Sequence, residues 1–249
     1  MPYRLFSLEE VADYLHLTPA AVHGLLKDGA IPAEKRGDRY VFAKREIDAW
    51  ASQRILGLPR RSLSDYHQQS TSQTRTLLPH VAILADLIEP GFIEPALRAK
   101  TKASVLQDMT ALADRTGRVC DARELLASLQ AREALCSTGL PGGLALLHPR
   151  HHQPYMFESS FLAVGRTVQA IHFGAPDGQP THLFVLVCCQ DDRLHLHTLA
   201  RLCLMVQQTA ALDRLRTAPD AAAMHAELLA AEAEVLAAAP PASRRSAGI

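Results

Sequence analysis

The chain has 249 residues, in which 26 Lys plus Arg balance 26 Asp plus Glu, and twelve histidines stand beyond that balance. A formal charge of zero excludes a protein that coats nucleic acid through bulk positive charge, and leaves room only for a local basic patch. The length suits about two domains, and 48% hydrophobic against 21% charged residues describes an ordinary globular chain.

The opening residues, Met1-Pro2-Tyr3-Arg4-Leu5, lack the basic-then-apolar layout of a secretory signal. No apolar run approaches the roughly 18 residues of a spanning helix, so no membrane insertion is expected. Ser7 and Glu10 have capping-box spacing, and Val11, Ala12 and Leu15 form an apolar stripe one helix wide. Thr18-Pro19 supplies a cap and a first-position proline for a second helix. Its inward face is Val22, Leu25 and Leu26, and Gly29 stops it. Residues 36–42 read as a turn feeding a short strand, and a closing helix from Lys44 to Ser52 carries Ile47 and Trp50 on one face. Two short helices, a hairpin and a third helix make a small α+β winged helix-turn-helix over residues 1–54.

On the second helix Ala20, His23, Gly24 and Lys27 turn outward, small or polar enough for close approach to major-groove base edges. Stretch 27–45 holds six cations against three carboxylates, a local excess of three. Arg36 and Arg39 flank the expected wing tip, where they would meet phosphates or the minor groove or simply be solvated. The ordered landmarks Leu5 to Ala12, Thr18 to Val22, Gly29-Ala30-Ile31-Pro32 and Ile47-Asp48-Ala49-Trp50 resemble the excisionase/MerR-type winged helix. The resemblance implies binding of double-stranded DNA, with Thr18, Ala20, His23, Lys27, Arg36 and Arg39 as contact residues. The recognition helix is weakly basic, so single-module affinity is expected to be modest and a homodimer is expected.

From Gly57 to Thr76 the apolar periodicity disappears, and residues 55–80 read as a mobile linker. A second domain, 81–237, has helical patterns at 101–115, 121–133, 194–208 and 220–237, with strand-like runs at 144–147, 159–164 and 183–188. Val185-Leu186-Val187-Cys188 is apolar throughout, as in a strand buried on both faces. The expectation is a multi-domain chain whose second unit is α/β, a mixed sheet flanked by helices. The tail 238–249 reads as disordered.

Five cysteines, at 120, 136, 188, 189 and 203, include no C-x-x-C pair. They make neither a disulfide framework nor a thiolate zinc site, which points to reduced thiols and a cytoplasmic location. Seven of the twelve histidines lie between 148 and 197. His148, His151 and His152 follow a turn-rich run, and His195 and His197 open a later helix behind Asp191 and Asp192. Three readings compete: a zinc site, unconnected surface histidines, or a nucleophile paired with a histidine that handles a phosphoryl group. No carboxylate stands at a standard metal-helix spacing.

Wider motifs bear on that choice. Arg132-Glu133, Ser137-Thr138-Gly139 and Ala145-Leu146-Leu147-His148 resemble the phosphoacceptor segment of EIIA domains of the phosphotransferase system, in the fructose/mannitol/nitrogen-regulatory class. Phe173 to Pro180 and His195-Leu196-His197-Thr198-Leu199-Ala200 continue the register, and Leu87-Ile88, Ile93 and Lys100-Thr101-Lys102 fit the opening of such domains. The resemblance implies that His148 accepts phosphate from an HPr-type carrier protein, that His195 hydrogen-bonds the phosphoryl oxygens, and that the Arg132 fork pairs with them. Ser137, Thr138 and Gly139 would shape the rim and offer backbone donors, with His151, His152 and His197 as neighbours. No cofactor or metal is implied. Leu147-His148-Pro149 stands where the family usually has Pro-His-Gly, which removes an amide N–H and biases His148 toward extended backbone.

The resulting expectation is a DNA-binding transcriptional regulator whose EIIA-like domain reports phosphotransferase status through His148, enzymatic at most as a phosphohistidine intermediate. Two alternatives remain beside it. One is an EIIA component passing phosphate to a sugar permease; the other is a degenerate EIIA domain that binds partners without phosphate chemistry.

Overall fold

The computed structural model describes residues 4–74, 77, 80–150 and 155–238. In the N-terminal module β1 (Leu5–Phe6) leads into α1 (Leu8–Tyr14). The capping box forms as spaced: Ser7 Oγ accepts the Glu10 amide at 3.2 Å, and the Glu10 carboxylate accepts the Ser7 amide at 2.8 Å. Next, α2 (Pro19–Lys27) starts behind Thr18, whose hydroxyl oxygen accepts the Ala21 amide. Strands β2 (Glu34–Arg36) and β3 (Arg39–Ala43) make the wing, turning at Gly37 with φ 62°, a conformation that favours glycine. β1 pairs antiparallel on the other side of β3. Phe6, Val11, Val22, Phe42 and Ile47 fill the core between these elements.

Helix α3 (Lys44–Leu56) closes the module and runs one turn past the expected end at Ser52. Ile47 is fully buried as expected, whereas Trp50 is half-buried and donates its indole N–H to Ala30 O at 2.6 Å.

The stretch expected to be a mobile linker is largely helical. After Gly57-Leu58-Pro59, helix α4 spans Arg60–Thr74. Its inward stripe is Leu63, His67 and Ser70, all buried at helical spacing. Two of those three are polar, so the stripe is invisible to a search for apolar periodicity.

The C-terminal domain is built on a mixed sheet. Its strands are β4 (Ile93–Leu97), β5 (Gly139–Leu140), β6 (Leu144–Leu147), β7 (Phe161–Ile171) and β8 (Thr181–Cys188), in spatial order β4-β7-β8-β6-β5. The β4·β7 and β6·β8 pairings are parallel and the other two antiparallel. The apolar run Val185–Cys188 lies in the middle strand and is buried throughout, as its composition demands. β7 runs seven residues past the expected end at 164. β4 and β5 were not foreseen: one carries Pro95 on the sheet edge and the other is two residues long.

Around the sheet lie α5 (Leu84–Leu87), α6 (Lys102–Arg115), α7 (Ala122–Glu133), α8 (Asp192–Gln208), α9 (Ala211–Thr217) and α10 (Ala221–Ala238). Asp191 caps α8, its carboxylate accepting the Arg193 and Leu194 amides at 2.8 and 3.0 Å. Every residue from Leu194 to Met205 is buried. A helix buried on all sides must be covered on each of them: β8 and α10 lie against it from its own domain, α3 from the N-terminal module and α4 from the stretch that joins the two. The two modules therefore meet along α8. No helix of the described residues is long and apolar enough to cross a membrane. The tail beyond Ala238, and His151 and His152, lie outside the described residues.

Candidate phosphoryl-handling site

His148 follows the carboxyl end of β6 and His195 sits in the first turn of α8, just after β8. Because β6 and β8 are parallel neighbours, the chain delivers both histidines to the same edge of the sheet. Their rings lie 5.1 Å apart between centroids. His148 is only 2% exposed and His195 1%.

The hydrogen bonds of His148 define its tautomer. Nδ1 lies 2.9 Å from Leu146 O, an acceptor only, so Nδ1 carries the proton. Nε2 then presents its lone pair, which accepts the Arg132 Nε–H at 2.9 Å. Arg132 is anchored through Nη1 to Cys136 O at 3.1 Å, while its buried Nη2 has no hydrogen-bond partner among the described residues. A buried guanidinium N–H left over beside a nucleophilic imidazole suits an anionic oxygen that arrives with a substrate. The site thus gathers His148, His195 and Arg132, three residues remote in sequence.

Ser137, Thr138 and Gly139 lie next to this centre, but their hydrogen bonds turn inward. Glu133 accepts the Thr138 amide at 3.1 Å and its hydroxyl at 2.6 Å, and the same carboxylate pairs with Lys102 Nζ at 2.6 Å. Ser137 donates its hydroxyl to Phe173 O at 2.8 Å and accepts the Gly139 amide at 3.1 Å. A side chain at 139 would stand 3.0 Å from the Ala175 backbone nitrogen, so only glycine fits without displacing that loop. The amides of Thr138 and Gly139, expected as donors to a ligand, are committed to the loop itself. Lys102 and Glu133 brace the rim, and the sequence marked them only as family landmarks.

Residues from the other module also reach this region, which the sequence did not suggest. Ser52 Oγ of α3 lies 3.2 Å from His195 Nε2. Ser70 Oγ of α4 lies 2.7 Å from His197 Nδ1, and the His67 ring stacks on His197 at 4.5 Å. Arg201 Nε donates to His67 Nε2 at 2.7 Å. Burial and then Arg201 hold His67 down to about 3, and burial holds His197 well below the usual imidazole range, so both are neutral at pH 7. Lys44, at the start of α3, pairs with Asp48 of its own helix and with Asp192 at the start of α8.

The DNA-facing candidates are arranged differently. Ala20, His23 and Lys27 are exposed along α2, and Arg36 and Arg39 are exposed on the wing. Thr18 is exposed too, with its hydroxyl engaged in capping. Arg36 pairs with Glu34 at 3.0 Å, and Lys44 turns to the other domain, so the local basic excess is weaker than the residue count suggests.

Residues 86–231 match the family described as phosphoenolpyruvate-dependent sugar phosphotransferase system, EIIA 2, and residues 5–55 match a helix-turn-helix domain. Nitrogen regulatory proteins of Bradyrhizobium diazoefficiens and Pseudomonas aeruginosa are each 30% identical, over 148 and 144 residues. Those spans cover 58% and 57% of this chain and 94% and 92% of the two relatives. The fructose-specific EIIABC component of Bacillus subtilis is 26% identical over 121 residues; the match covers 48% of this chain and only 19% of that much longer protein. Among solved structures, the nitrogen regulatory protein IIA-Ntr from Neisseria meningitidis superposes with a TM-score of 0.53 at 26% identity, over 59% of this chain and 99% of the other. More than half of the sequence thus falls within one family, and the chain belongs to the EIIA 2 family of the phosphoenolpyruvate-dependent sugar phosphotransferase system, with a helix-turn-helix domain in its N-terminal part.

Proposed function

We propose that the protein is a cytoplasmic transcriptional regulator that binds double-stranded DNA through its winged helix and accepts a phosphoryl group on His148 from an HPr-type carrier. The observation that carries this reading is the pairing of His148 Nε2 with Arg132, whose Nη2 is buried and unused among the described residues. In the transfer, the Nε2 lone pair attacks phosphorus, the bond from phosphorus to the carrier breaks, and the carrier leaves with that electron pair. Arg132 would swing from nitrogen to the phosphoryl oxygens, pairing with them through its planar fork. His195 would add a further hydrogen bond. The new charge, about −1.5 to −2 near neutral pH, is the signal that would reach the DNA-binding module. The contact surface for DNA is Ala20, His23 and Lys27 on α2 with Arg36 and Arg39 on the wing, one such surface per protomer of a homodimer.

The test is incubation with the phosphorylated carrier followed by a phosphate-affinity gel. A single shifted band that disappears in His148→Ala is expected; no shift in wild type, or a shift that survives the substitution, overturns the phosphoacceptor role. Pro149, which has no amide to offer a phosphoryl oxygen, favours a second reading, an EIIA domain that only binds. That reading predicts no band in wild type and a new band after Leu147→Pro with Pro149→Gly.

A further inference from the structure

The residues around His195 and His197 belong to two modules, and this has a consequence for how a carrier reaches the site. Ser52 is 3% exposed and His195 1%, so the contact between them is sealed from water. The Ser70–His197 bond and the His67–His197 stack continue it, and the Gln208 side-chain amide to Ser64 Oγ at 3.3 Å ends it. Helices α3 and α4, joined by only Gly57-Leu58-Pro59, thus lie along α8 from Asp192 to Gln208. A carrier must bring its phosphorus to roughly 3–3.5 Å from His148 Nε2, yet His148 is 2% exposed, and the His195 ring beside it is covered by Ser52 of α3.

Resting on the phosphoacceptor reading above, we infer that the His148–His195 face has two mutually exclusive occupants: this chain's own α3–α4 pair, the last helix of the winged-helix module and the helix that follows it, and the phosphocarrier protein. The hydrogen bonds of the α3–α4 contact join mostly neutral serine, glutamine and histidine groups. The Lys44–Asp192 ion pair, the Arg201–His67 bond and buried Leu63 stand beside them, a mixed contact of the kind across which relative motion of domains is expected. Phosphorylation also acts on it directly. The His195 ring, engaged with Ser52 through Nε2, lies 5.1 Å from the His148 ring and is the group that phosphoryl oxygens on His148 would claim. Coupling of the two occupants must be mutual: whatever loosens α3–α4 strengthens carrier binding, and a bound carrier loosens α3–α4 by the same factor. Since Ala20, His23 and Lys27 are exposed in the docked arrangement, docking leaves the DNA-reading face open.

The full-length protein tests this with two readouts. Leu63→Asp places a charge in the fully buried α4 contact, and Ser70→Arg is the milder change if the first fails to fold, which circular dichroism reports. One readout is the rate of His148 phosphorylation by the phosphorylated carrier. The other, independent of phosphate, is the rate at which diethylpyrocarbonate modifies His148 and His195, read by peptide mass spectrometry. Both rates are expected to rise at least about tenfold in a folded variant, the change given by weakening the contact by about 1.4 kcal/mol. Wild type phosphorylated as fast as the variants, with unchanged histidine modification, overturns the shared occupancy and leaves the phosphoacceptor role standing. Faster histidine modification with no phosphorylation in any variant overturns the carrier as an occupant, together with that role.

Discussion

The Nε–H of Arg132 points at Nε2 of His148 across 2.9 Å, and it does so from a buried side chain also held by Cys136 O. Arginine is required by this geometry: one N–H meets the imidazole lone pair, another holds the backbone, and a third is left for a ligand. Lysine keeps the charge but loses the fork. Arg132→Lys is therefore expected to slow phosphorylation of His148 about 30- to 160-fold, the equivalent of losing one charge-assisted hydrogen bond of about 2–3 kcal/mol. Single-turnover kinetics with the phosphorylated carrier measure it. A variant within threefold of wild type would show that the fork does not contact the transferred group.

His67 and His197 make stability depend on pH in a defined direction. Burial keeps both neutral in the folded protein, with His67 down to about 3. The unfolded chain takes up those protons below about 6.5. Below about 6.5, and for His67 down to about 3, the unfolded state binds more protons, so stability falls as pH falls, at roughly 1 kcal/mol per pH unit for each group. Asp48 acts oppositely: burial and the nearby Asp192 raise it, so the folded protein gains its proton first and offsets part of the loss near its own titration. Melting temperature followed from pH 7.5 to 5 is expected to fall, and His67→Gln, whose side-chain carbonyl can still accept from Arg201, is expected to make the slope shallower. An unchanged slope in that variant would place the acid sensitivity elsewhere.

Arg201 and Glu232 form an ion pair with exposures of 0% and 1%. Glu232 also accepts the Ile83 and Leu84 amides at 2.9 and 3.0 Å, and Arg201 donates to Val81 O at 3.1 Å and to His67. One pair thus ties α4, α8, α10 and the segment ahead of α5. Arg201→Met leaves a buried carboxylate uncompensated and is expected to cost about 3–5 kcal/mol in chemical denaturation. Adding Glu232→Gln removes the stranded charge while keeping an acceptor for the two amides, so the double variant is expected to recover most of the loss. If it recovers nothing, packing rather than charge dominates this position.

Much of this arrangement was legible in the sequence, for identifiable reasons. The capping residues Ser7 and Thr18 act within four residues, so local spacing places α1 and α2. The buried strand Val185–Cys188 declares itself through uniform apolarity. His148, His195 and Arg132 were legible only through motif resemblance, because nothing in their spacing brings 132, 148 and 195 together; the parallel β6·β8 pairing does that. The contact between modules left no periodic trace. Its α4 stripe alternates one leucine with a histidine and a serine, each satisfied by a partner more than 120 residues away. Polar groups buried through such distant partners read as exposed until the partners are known.

Gly165 is a further position whose requirement is set by distant chain. It lies within β7, and a Cβ there would collide with Leu97 Cδ1 of β4 and stand 2.6 Å from Met109 Sδ of α6. Both neighbours are fully or nearly buried, so neither has free space to retreat into. The Leu97 side chain occupies the room that glycine leaves beside the parallel β4·β7 pairing, and it thereby closes the sheet edge against α6. Alanine would force Leu97 off its rotamer or push β4 outward, and is expected to destabilise by about 1–3 kcal/mol. Shortening Leu97 to valine should relieve much of that strain, so Gly165→Ala with Leu97→Val is expected to be less destabilised than the sum of the two single changes. Urea denaturation of the three variants measures the coupling. Strict additivity would show that the alanine methyl is accommodated by movement of Met109 instead, whose flexible thioether is the other group in reach.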